Sequence, residues 1–491
     1  MATTHEPYSD DAPHEECGVI GVYLPGSMGA EAARIAFYGL YALQHRGQES
    51  AGIAAGDGRT LRNFTAPGLV SNAFHQEDLE RLPGHIAIGH NRYSTTGSSA
   101  AFNAQPIVSK GPQVEIALAH NGNVINAGEQ RETLAEYGVT CTTGTDSEVI
   151  AHLTAWAQPG TWPERTAYLM RVLKGAYSLV IATKDTLVAV RDPHGLRPLC
   201  LGRFPAGGWV VASESAALDH IGAQFVREVE PGETLVINRD GLSAHPSPAP
   251  EAPRAHCVFE HIYFSRPDTI LEGHLVHLSR LRMGMSLAAE HPVEADLVIP
   301  VPDSANSAAL GFAQASGIPF GYGLIKNRYQ GRTFIEPDQR FRDLGVRNKF
   351  NPLPEVLSGK RVVVVDDSIV RGTTAPAIVA LLRRAGAAEV HMRVCSPPIV
   401  NPCHFGVDMS SKREFIATGR TVEEIRTLVG VDTLGYLSLE AVQRSINGDP
   451  SGAGFCNACF TGAYPIPVQL QLDKLALEQG LTPPMAGASQ D

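Results

Sequence analysis

The sequence lacks any apolar run of about 18 residues, the length that marks a membrane-crossing helix. Its first residues, M-A-T-T-H-E-P-Y-S-D-D, lack the basic start and the apolar core of a secretory signal. Cysteine is scarce, with 8 in 491 residues, and without a signal peptide these thiols are expected to be catalytic or metal-binding rather than disulfide-bonded. These absences predict a protein of a reducing compartment, the cytoplasm.

Positive charge is also in deficit, because 40 Lys and Arg face 51 Asp and Glu, which gives a formal net charge of −11. This balance argues against a general nucleic-acid or anionic-membrane surface and leaves room only for a local basic site. Hydrophobic residues make up 43% of the chain and charged residues 19%, as in an ordinary globular protein. A chain of this length supports two or three domains with sizeable cores.

The stretch 361–374, R-V-V-V-V-D-D-S-I-V-R-G-T-T, combines a buried strand with a polar loop. Four consecutive valines predict a strand covered on both faces, as in a parallel sheet. Asp366 and Asp367 follow the strand, and the alanine- and leucine-rich run 375–384, closed by Gly386, predicts a helix. Backbone N–H groups at such a loop can hold a phosphate, and the carboxylates can hold ribose hydroxyls or Mg²⁺. Alternatively, the two aspartates only cap the helix.

This stretch resembles the signature of the type I phosphoribosyltransferases, which bind 5-phosphoribosyl-1-diphosphate (PRPP). A second unit of the same kind, D-L-V-I-P-V-P-D-S at 296–304, ends in Asp303 and Ser304, a candidate contact for pyrophosphate and magnesium. The resemblance implies one Mg²⁺ per subunit, bound by Ser304, Asp366 and Asp367. The PRPP-binding residues that it implies are Asp366, Asp367, Ser368, Arg371, Gly372, Thr373, Thr374, Lys326, Arg328 and Arg332.

A basic segment occupies positions 326–349 and contains K-N-R-Y-Q-G-R-T-F-I followed by further arginines. A solvated loop would explain it, but so many cations in an acidic protein favour a site for a polyanion. In phosphoribosyltransferases a mobile loop at this point closes over PRPP and excludes water. By that resemblance Lys326, Arg328 and Arg332 would stabilise charge during the reaction.

Several motifs rich in glycine and hydrogen-bonding side chains lie in the first half of the chain. Cys17 opens an apolar run, G-V-I-G-V, and by itself would be interpreted as a small buried hydrophobe. The motifs that follow are L-Q-H-R-G-Q-E-S-A-G at 43–52, G-H-N-R-Y-S-T-T-G at 89–97, A-H-N-G-N at 119–123 and T-D-S-E at 145–148. A strand is predicted over 114–118, before A-H-N-G-N, and T-D-S-E is typical of a helix start.

Together with Cys17, these motifs resemble the class II glutamine amidotransferases over about residues 17–240. In that family a free α-amine at the cysteine serves as the general base for its own thiol. An α-amine has a pKa of about 8, so it accepts a proton near neutral pH. The resemblance therefore implies that residues 1–16 are a leader, removed between Glu16 and Cys17.

The same resemblance assigns the groups that would hold glutamine. Asn121 and Gly122 would form the oxyanion hole, where losing one donor typically raises the barrier by about 3–4 kcal/mol. Arg92 would bind the α-carboxylate through its planar fork, and Asp146 would bind the α-ammonium. Outside this context a surface ion pair and a plain helix cap would explain these two residues. The full implied glutamine-binding set is Arg92, Asp146, Arg46 and Gly47.

A proline-rich segment, P-S-P-A-P-E-A-P from position 246, predicts the main domain boundary, a linker over 246–255. Residues 17–245 are then expected to form an α+β N-terminal-nucleophile domain, an αββα sandwich. Residues 256–465 are expected to form an α/β phosphoribosyltransferase domain with a parallel sheet. Residues 466–491 would be a C-terminal extension, partly disordered.

The C-x-x-C pair of Cys456 and Cys459 is typical of zinc sites, iron–sulfur sites and redox pairs, and the spacing leaves all three open. Nearly the whole chain, however, resembles the amidophosphoribosyltransferases that carry a leader and a [4Fe–4S] cluster. The cluster ligands implied by that resemblance are Cys257, Cys403, Cys456 and Cys459. The cysteines without such a match, expected in the core, are Cys141, Cys200 and Cys395. A departure is Ala463, where the family usually has a basic residue.

The resemblance to the amidophosphoribosyltransferases implies a glycosyltransferase with glutaminase activity. Glutamine would be hydrolysed to glutamate and ammonia, and the ammonia would displace diphosphate from PRPP to give 5-phosphoribosylamine. That reaction is the first committed step of de novo purine biosynthesis, with purine nucleotides as feedback inhibitors and a homotetramer as the assembly. The single cluster per subunit would staple the C-terminal segment in place without redox turnover.

Two alternatives share one half of the chain each. A glucosamine-phosphate synthase shares the glutaminase motifs, but the acidic pair and phosphate loop after Val365 argue against it. A transcriptional regulator of phosphoribosyltransferase type shares the second half, but it would need a DNA-binding module and would not need Cys17, Arg92 and the Asn-Gly pair at 121–122.

Overall fold

The structure is a computed structural model that describes residues 17–26, 29–94, 96–156, 160–249, 251–327, 349–409, 412–468 and 476–478. No helix within these ranges is long and apolar enough to cross a membrane. The secondary structure divides at the proline-rich segment: antiparallel sheets precede it, and a parallel sheet follows it.

Two antiparallel sheets stack face to face in the N-terminal half (residues 17–245). In spatial order the seven-stranded sheet contains Gln224–Glu228, Cys200–Arg203, Trp209–Ala212, Gly18–Tyr23, Ile86–Arg92, Ser50–Gly56 and Leu61–Pro67. The six-stranded sheet contains Gly241–His245, Thr234–Asn238, Leu187–Arg191, Gly175–Ala182, Glu115–Val124 and Ile107–Lys110. Val19, Ile88 and Val180 are among the side chains that form the buried layer between the two sheets.

Helices cover the outer face of each sheet and complete four layers. The helices packed on the seven-stranded sheet are Ala32–Ala42, Val70–Ala73, Gln76–Glu80 and Ser215–His220. Those packed on the six-stranded sheet are Ala127–Glu136, Asp146–Trp156 and Trp162–Val172. Short 3₁₀ turns occur at Gln44–Arg46 and Ala101–Asn103. This is the predicted αββα arrangement.

A four-stranded parallel sheet forms the centre of the C-terminal half (residues 255–468). Its strands, in spatial order, are Leu297–Pro300, Arg361–Asp366, Glu389–Val394 and Thr433–Tyr436. The helices on one face are Val276–Glu290, Asn306–Ser316 and Leu439–Asn447, and those on the other are Thr374–Arg384 and Val422–Val429. Short helices at Glu260–Phe264, Pro354–Leu357, Lys412–Glu414, Ala458–Thr461 and Ala476–Glu478 complete the described helical segments.

Three two-stranded ladders supplement this sheet: Ala255–Cys257 with Gly454–Cys456, Ile270–Leu271 with His274–Leu275, and Leu324–Lys326 with Phe350–Pro352.

The valine strand lies where its composition predicts. Val363 and Val365 enter the core on one face of the sheet, whereas Val362 and Val364 enter the core on the other. This alternation is the two-residue period of a strand, and it explains why all four positions are apolar. The following helix begins at Thr374, one residue earlier than predicted, and ends at Arg384.

Two motifs lie within strands rather than after them. The strand predicted over 114–118 continues through the A-H-N-G-N motif and ends at Val124. Its polar residues pair with the neighbouring strand, Asn121 opposite Ser178 and Gly122 opposite Tyr177. Likewise, the strand Ile86–Arg92 includes the first four residues of the G-H-N-R-Y motif. The prediction was too short because polar residues normally mark a strand end, whereas here they are buried inside the sheet.

A buried ion-pair network joins the two halves. The Arg46 guanidinium donates to the Glu214 carboxylate in its own half and, over 2.6 Å, to Glu260 Oε2 in the other half. Arg197 lies 3.8 Å from the second oxygen of Glu260 and donates over 2.9 Å from Nε to the backbone oxygen of Phe405. The network thus combines three side chains of the N-terminal half with one of the C-terminal half, Glu260.

We predict that Glu260→Ala strongly destabilises the protein, because it leaves the Arg46 guanidinium buried with a missing partner. Removing one partner of a buried ion pair typically costs about 3–5 kcal/mol, and urea unfolding followed by circular dichroism measures the loss. Glu423→Ala is the control, since Glu423 forms an exposed pair with Arg426 and should unfold like the parent. Equal urea midpoints for the two variants would contradict the prediction.

Candidate active sites

Cys17 lies at the start of the strand Gly18–Tyr23, inside the seven-stranded sheet. Its thiol is buried, 5% exposed, and its Sγ is 3.2 Å from the Tyr93 backbone oxygen and 3.4 Å from the Tyr93 nitrogen. Burial raises the pKa of the Cys17 thiol to about 12, although the Tyr93 hydrogen bond and the Arg92 cation act in the opposite direction. The thiol is therefore protonated at neutral pH and needs a base before it can act as a nucleophile.

A small cleft opens beside Cys17 and brings together most of the predicted glutamine site. Its other lining residues are Arg92, Tyr93, Thr96, Gln105, His120, Gly122, Thr145, Asp146 and Ser147. Asn121 is buried next to Gly122, and its Nδ2 has no hydrogen-bond partner among the described residues. This amide can therefore donate to a ligand oxygen, although Asn121 itself is not among the residues that line the cleft.

Gly122 is required at its position for two reasons. Its φ of +144° lies in the region that favours glycine, and a Cβ there would lie 2.1 Å from the Ala176 backbone oxygen. A glycine therefore keeps the strand paired at this point while its backbone borders the cleft.

Arg92 and Asp146 face the cleft from opposite elements. The Arg92 guanidinium donates to the backbone oxygens of Ser98, over 2.7 Å, and Thr96, over 3.2 Å. Asp146 is the first residue of the helix Asp146–Trp156, and its Oδ2 accepts from the Val124 backbone nitrogen over 2.8 Å. A fixed cation and a fixed carboxylate thus lie on one cleft, the arrangement that an amino acid zwitterion needs.

Of the other two predicted glutamine-binding residues, Arg46 does not line the cleft, whereas Gly47 packs against Arg92. The Arg46 guanidinium is engaged by Glu214, Glu260 and Ser265, and the residues that line the cleft do not include it. Gly47 packs on the strand that ends at Arg92, where a Cβ would lie 2.7 Å from backbone atoms of Asn91 and Arg92. Because Gly47 has no side chain, its loop packs directly against the backbone of Arg92, the cation of the cleft.

At the end of the valine strand, Asp367 connects the two predicted magnesium segments. Its Oδ2 accepts from Ser304 Oγ over 2.5 Å, and its Oδ1 accepts from Ser368 Oγ over 2.6 Å. Burial raises the pKa of Asp367, while these two hydroxyls act in the opposite direction. Asp366 lies beside it and accepts from the Asp367 backbone nitrogen over 2.9 Å. Ser304, Asp366 and Asp367 therefore form one cluster of hard oxygen atoms at the carboxyl end of the sheet.

The loop after the acidic pair turns tightly at Gly372 and leads into a helix. Gly372 has a φ of +72°, and a Cβ there would lie 2.3 Å from Ile416 Cδ1. Thr373 immediately precedes the helix that begins at Thr374, and Arg371 Nε is 2.9 Å from Glu414 Oε2. Lys326 Nζ is 3.2 Å from Asp303 Oδ2, so this cation lies next to the second predicted loop. Arg328 and Arg332 lie outside the described residues.

The four cysteines predicted as cluster ligands come together. Cys257 and Cys456 are directly paired on neighbouring parallel strands. The Cys459 backbone oxygen accepts from the nitrogens of Val400 and Asn401, which fixes the C-x-x-C segment next to the loop of Cys403. Burial and the nearby thiols of the other three cysteines raise the pKa of Cys459 well above its usual value. The remaining thiols are buried as predicted, at Cys141, Cys200 and Cys395.

Comparison with known proteins identifies the family. A family model described as a glutamine amidotransferase domain matches residues 90–220. Over 475 residues the chain is 50% identical to an amidophosphoribosyltransferase of Synechocystis, and the match covers 95% of each chain. The chain belongs to the amidophosphoribosyltransferase family. A chloroplastic amidophosphoribosyltransferase of Arabidopsis thaliana is 49% identical over 470 residues, which cover 95% of this chain and 82% of that one.

Solved structures agree over the same length. One, described as the allosteric regulatory enzyme of purine biosynthesis, has a TM-score of 0.86 at 46% identity and covers 92% of this chain and 97% of that one. The glutamine PRPP amidotransferase of B. subtilis, complexed with ADP and GMP, has a TM-score of 0.85 at 45% identity, covering 92% and 98%. The predicted fold, an N-terminal-nucleophile glutaminase followed by a type I phosphoribosyltransferase, is confirmed. So is the predicted function, the glutamine-dependent amidophosphoribosyltransferase reaction of purine biosynthesis.

Several polar residues that line the amidotransferase cleft were not assigned a role from the sequence, among them His120, Ser147 and Gln105. His120 and Ser147 stood inside quoted motifs, and their side chains are 3.1 Å apart. Gln105 belongs to no motif, yet its Oε1 accepts from the His120 backbone nitrogen over 2.9 Å. Burial lowers the pKa of His120, which keeps the ring neutral. Only the fold could reveal Gln105, because its partner lies in the adjacent strand rather than nearby in sequence.

We predict that Cys17 of the uncleaved chain is alkylated by iodoacetamide only slowly at neutral pH. Because the pKa is raised to about 12, the thiolate fraction and the rate should increase about tenfold per pH unit from pH 7 to pH 10, without a plateau. Mass spectrometry of the Cys17 peptide measures the rate, and Cys17→Ser supplies the blank. A rate that levels off as the pH approaches 10 would show a thiol of ordinary pKa and refute the prediction.

Proposed function

We propose that Cys17 is the nucleophile of glutamine hydrolysis and that its own α-amine is the base, once residues 1–16 are removed. The thiol is too weakly acidic to ionise unaided at neutral pH. With residue 16 attached, the nitrogen of Cys17 is an amide and cannot accept a proton. Cleavage would convert it into an amine with a pKa of about 8, next to the thiol.

The unpartnered Asn121 amide is the observation that carries the glutaminase proposal. As Cys17 Sγ attacks the carboxamide carbon, its proton moves to the α-amine, and the carbonyl oxygen becomes an oxyanion. Asn121 Nδ2 and the Gly122 backbone N–H stabilise that oxyanion. The proton then passes to the departing nitrogen, ammonia leaves, and water hydrolyses the thioester to glutamate.

Arg92 and Asp146 would bind the two charged ends of glutamine. Arg92 receives the α-carboxylate, and Asp146 receives the α-ammonium, since each already borders the cleft beside Cys17. Gly47 would support Arg92 from below by close backbone contact. Arg46 does not line the cleft and its guanidinium is bound to carboxylates, so its proposed contribution to glutamine binding would be indirect, through the segment 43–52 that it anchors.

PRPP would bind at the carboxyl end of the parallel sheet. The loop Ser368–Thr374 would hold the 5′-phosphate with its N–H groups, its hydroxyls and Arg371, and Asp366 and Asp367 would hold the ribose hydroxyls. The oxygen cluster of Ser304 and the two aspartates fits Mg²⁺, which prefers carboxylate and hydroxyl oxygens. When bound there, Mg²⁺ would neutralise charge on the departing diphosphate, and Lys326, Arg328 and Arg332 would add to that effect.

Ammonia must pass from one site to the other without release, because in water at neutral pH it becomes ammonium and loses its nucleophilic lone pair. The contacts between the halves support a protected route. Asn123 Nδ2 donates to the His404 backbone oxygen over 2.9 Å, and the Tyr93 hydroxyl is 3.4 Å from Asp408 Oδ2. The loop of Cys403 in the C-terminal half thus adjoins the glutamine cleft.

We further propose one [4Fe–4S] cluster per subunit, bound by Cys257, Cys403, Cys456 and Cys459. The nearness of Cys459 to the other three cysteines supports this assignment, and when bound the cluster would supply a cross-link rather than electron transfer. We also propose a cytoplasmic homotetramer inhibited by purine nucleotides. The B. subtilis relative was solved with ADP and GMP, which supports nucleotide sites of that class.

The function test is glutamate release by the purified enzyme with and without PRPP and Mg²⁺. We expect release to depend on PRPP, because free ammonia is useful only when an acceptor is bound. Cys17→Ala should abolish glutamate release and glutamine-dependent diphosphate formation, yet keep diphosphate formation from added ammonium chloride at high pH. PRPP-independent release, or loss of the ammonia-dependent reaction in Cys17→Ala, would count against the proposal.

The cluster test is metal and sulfide analysis of protein purified without oxygen. We expect about four iron atoms and four sulfides per chain, with broad visible absorption that Cys456→Ser removes. Cys200→Ser is the matched control, because Cys200 is a buried thiol outside the cysteine group and its variant should retain the iron. Stoichiometric zinc in place of iron would overturn the cluster and favour a structural zinc site.

A further inference from the structure

The C-terminal segment Ala476–Glu478 docks beside the glutamine cleft, far along the chain from the residues that it contacts. Glu478 Oε1 accepts from the Ser98 backbone nitrogen over 2.6 Å and from Asn103 Nδ2 over 2.9 Å. Leu477 packs against the core of the N-terminal half, and the Arg131 guanidinium donates to its backbone oxygen. Independent apolar and polar contacts therefore fix Leu477 and Glu478.

A glycine makes room for the Glu478 side chain on the surface of the N-terminal half. Gly144 lies under the side chain, and a Cβ there would lie 2.1 Å from Glu478 Cγ. The Gly144 backbone nitrogen donates to Asn103 Oδ1 over 2.9 Å, so the same asparagine that donates to Glu478 is oriented by this glycine. Only a residue without a side chain permits so close an approach.

Glu478 is connected to Arg92, the cation of the cleft, through the backbone of Ser98. Ser98 gives its N–H to Glu478, while its carbonyl oxygen accepts from Arg92 Nη1 over 2.7 Å. Asn103 Nδ2 donates to that same Ser98 oxygen, over 2.9 Å, and to Glu478. A carboxylate that holds both groups thereby fixes the peptide that orients the Arg92 guanidinium. Hydrogen bonds to a charged acceptor are stronger than neutral ones, so this hold is firm.

We propose that Glu478 is a positioning residue for glutamine: it fixes the 96–103 segment so that Arg92 faces the substrate α-carboxylate. The inference rests on the proposed role of Arg92 and extends it, because it makes the C-terminal segment a part of the glutaminase site. Loss of the contact should weaken glutamine binding and leave the phosphoribosyltransferase half untouched.

The test compares Glu478→Ala, Glu478→Gln and the parent enzyme in PRPP-dependent glutamate release. Glu478→Ala should raise KM for glutamine about tenfold or more with a much smaller change in kcat, because substrate positioning is lost while Cys17 and the oxyanion donors remain. Glu478→Gln keeps an oxygen acceptor at the same reach and should recover part of the loss. Diphosphate formation from ammonium chloride, which bypasses the cleft, should remain unchanged in both variants.

Glu423→Ala is the matched control, a glutamate paired with Arg426 on the surface of the C-terminal half. Its KM for glutamine should stay within twofold of the parent value. An unchanged KM in Glu478→Ala, or equal losses in the glutamine- and ammonia-dependent reactions, would overturn the inference and leave Glu478 as a fold anchor. A parent enzyme without PRPP-dependent release would instead refute the proposed function, so the two failures are distinguishable.

Discussion

Burial of the Arg46 guanidinium between Glu214 and Glu260 is the constraint on which the arrangement of the two halves depends. Taking three charges out of water is costly, and the cost is offset only while both carboxylates stay in place. Arg46 and Glu214 belong to the N-terminal half and Glu260 to the short helix just after the linker, so the Arg46–Glu260 pair forms only when the two halves are docked. The glutaminase and phosphoribosyltransferase halves are thereby held in one relative position.

The two active sites solve opposite electrostatic problems. The Cys17 cleft is proposed to receive the neutral carboxamide of glutamine, next to a buried thiol and the Asn121 amide. The proposed PRPP site would receive several negative charges, next to a helix start, hydroxyls, cations and an acidic pair that suits a metal ion. The loop of Cys403 adjoins the Cys17 cleft, and this contact suits the proposed transfer of ammonia between the two sites.

How much the sequence predicted depended on the range of the interactions. The valine strand could be read locally, because burial on two faces leaves a continuous apolar run. The A-H-N-G-N motif was identified as functional, but its place inside a strand was missed because its polar groups are satisfied across the sheet. The partners of Arg46 were missed because they lie 168 and 214 positions away. Gln105 and Glu478 were missed because neither lies in a motif.

The pairing of Cys257 with Cys456 has a consequence for the topology of the C-terminal half. These residues lie about 200 positions apart, and the parallel sheet with its covering helices lies between them in the sequence. The first and last strands of that half are therefore paired with each other. Joining two such distant points costs conformational entropy when the chain folds. Any covalent bridge at this position would lower the conformational entropy of the unfolded chain and thereby reduce that cost. The paired strands thus hold the two ends of this half together, with the sheet, its helices and the loop 368–374 between them.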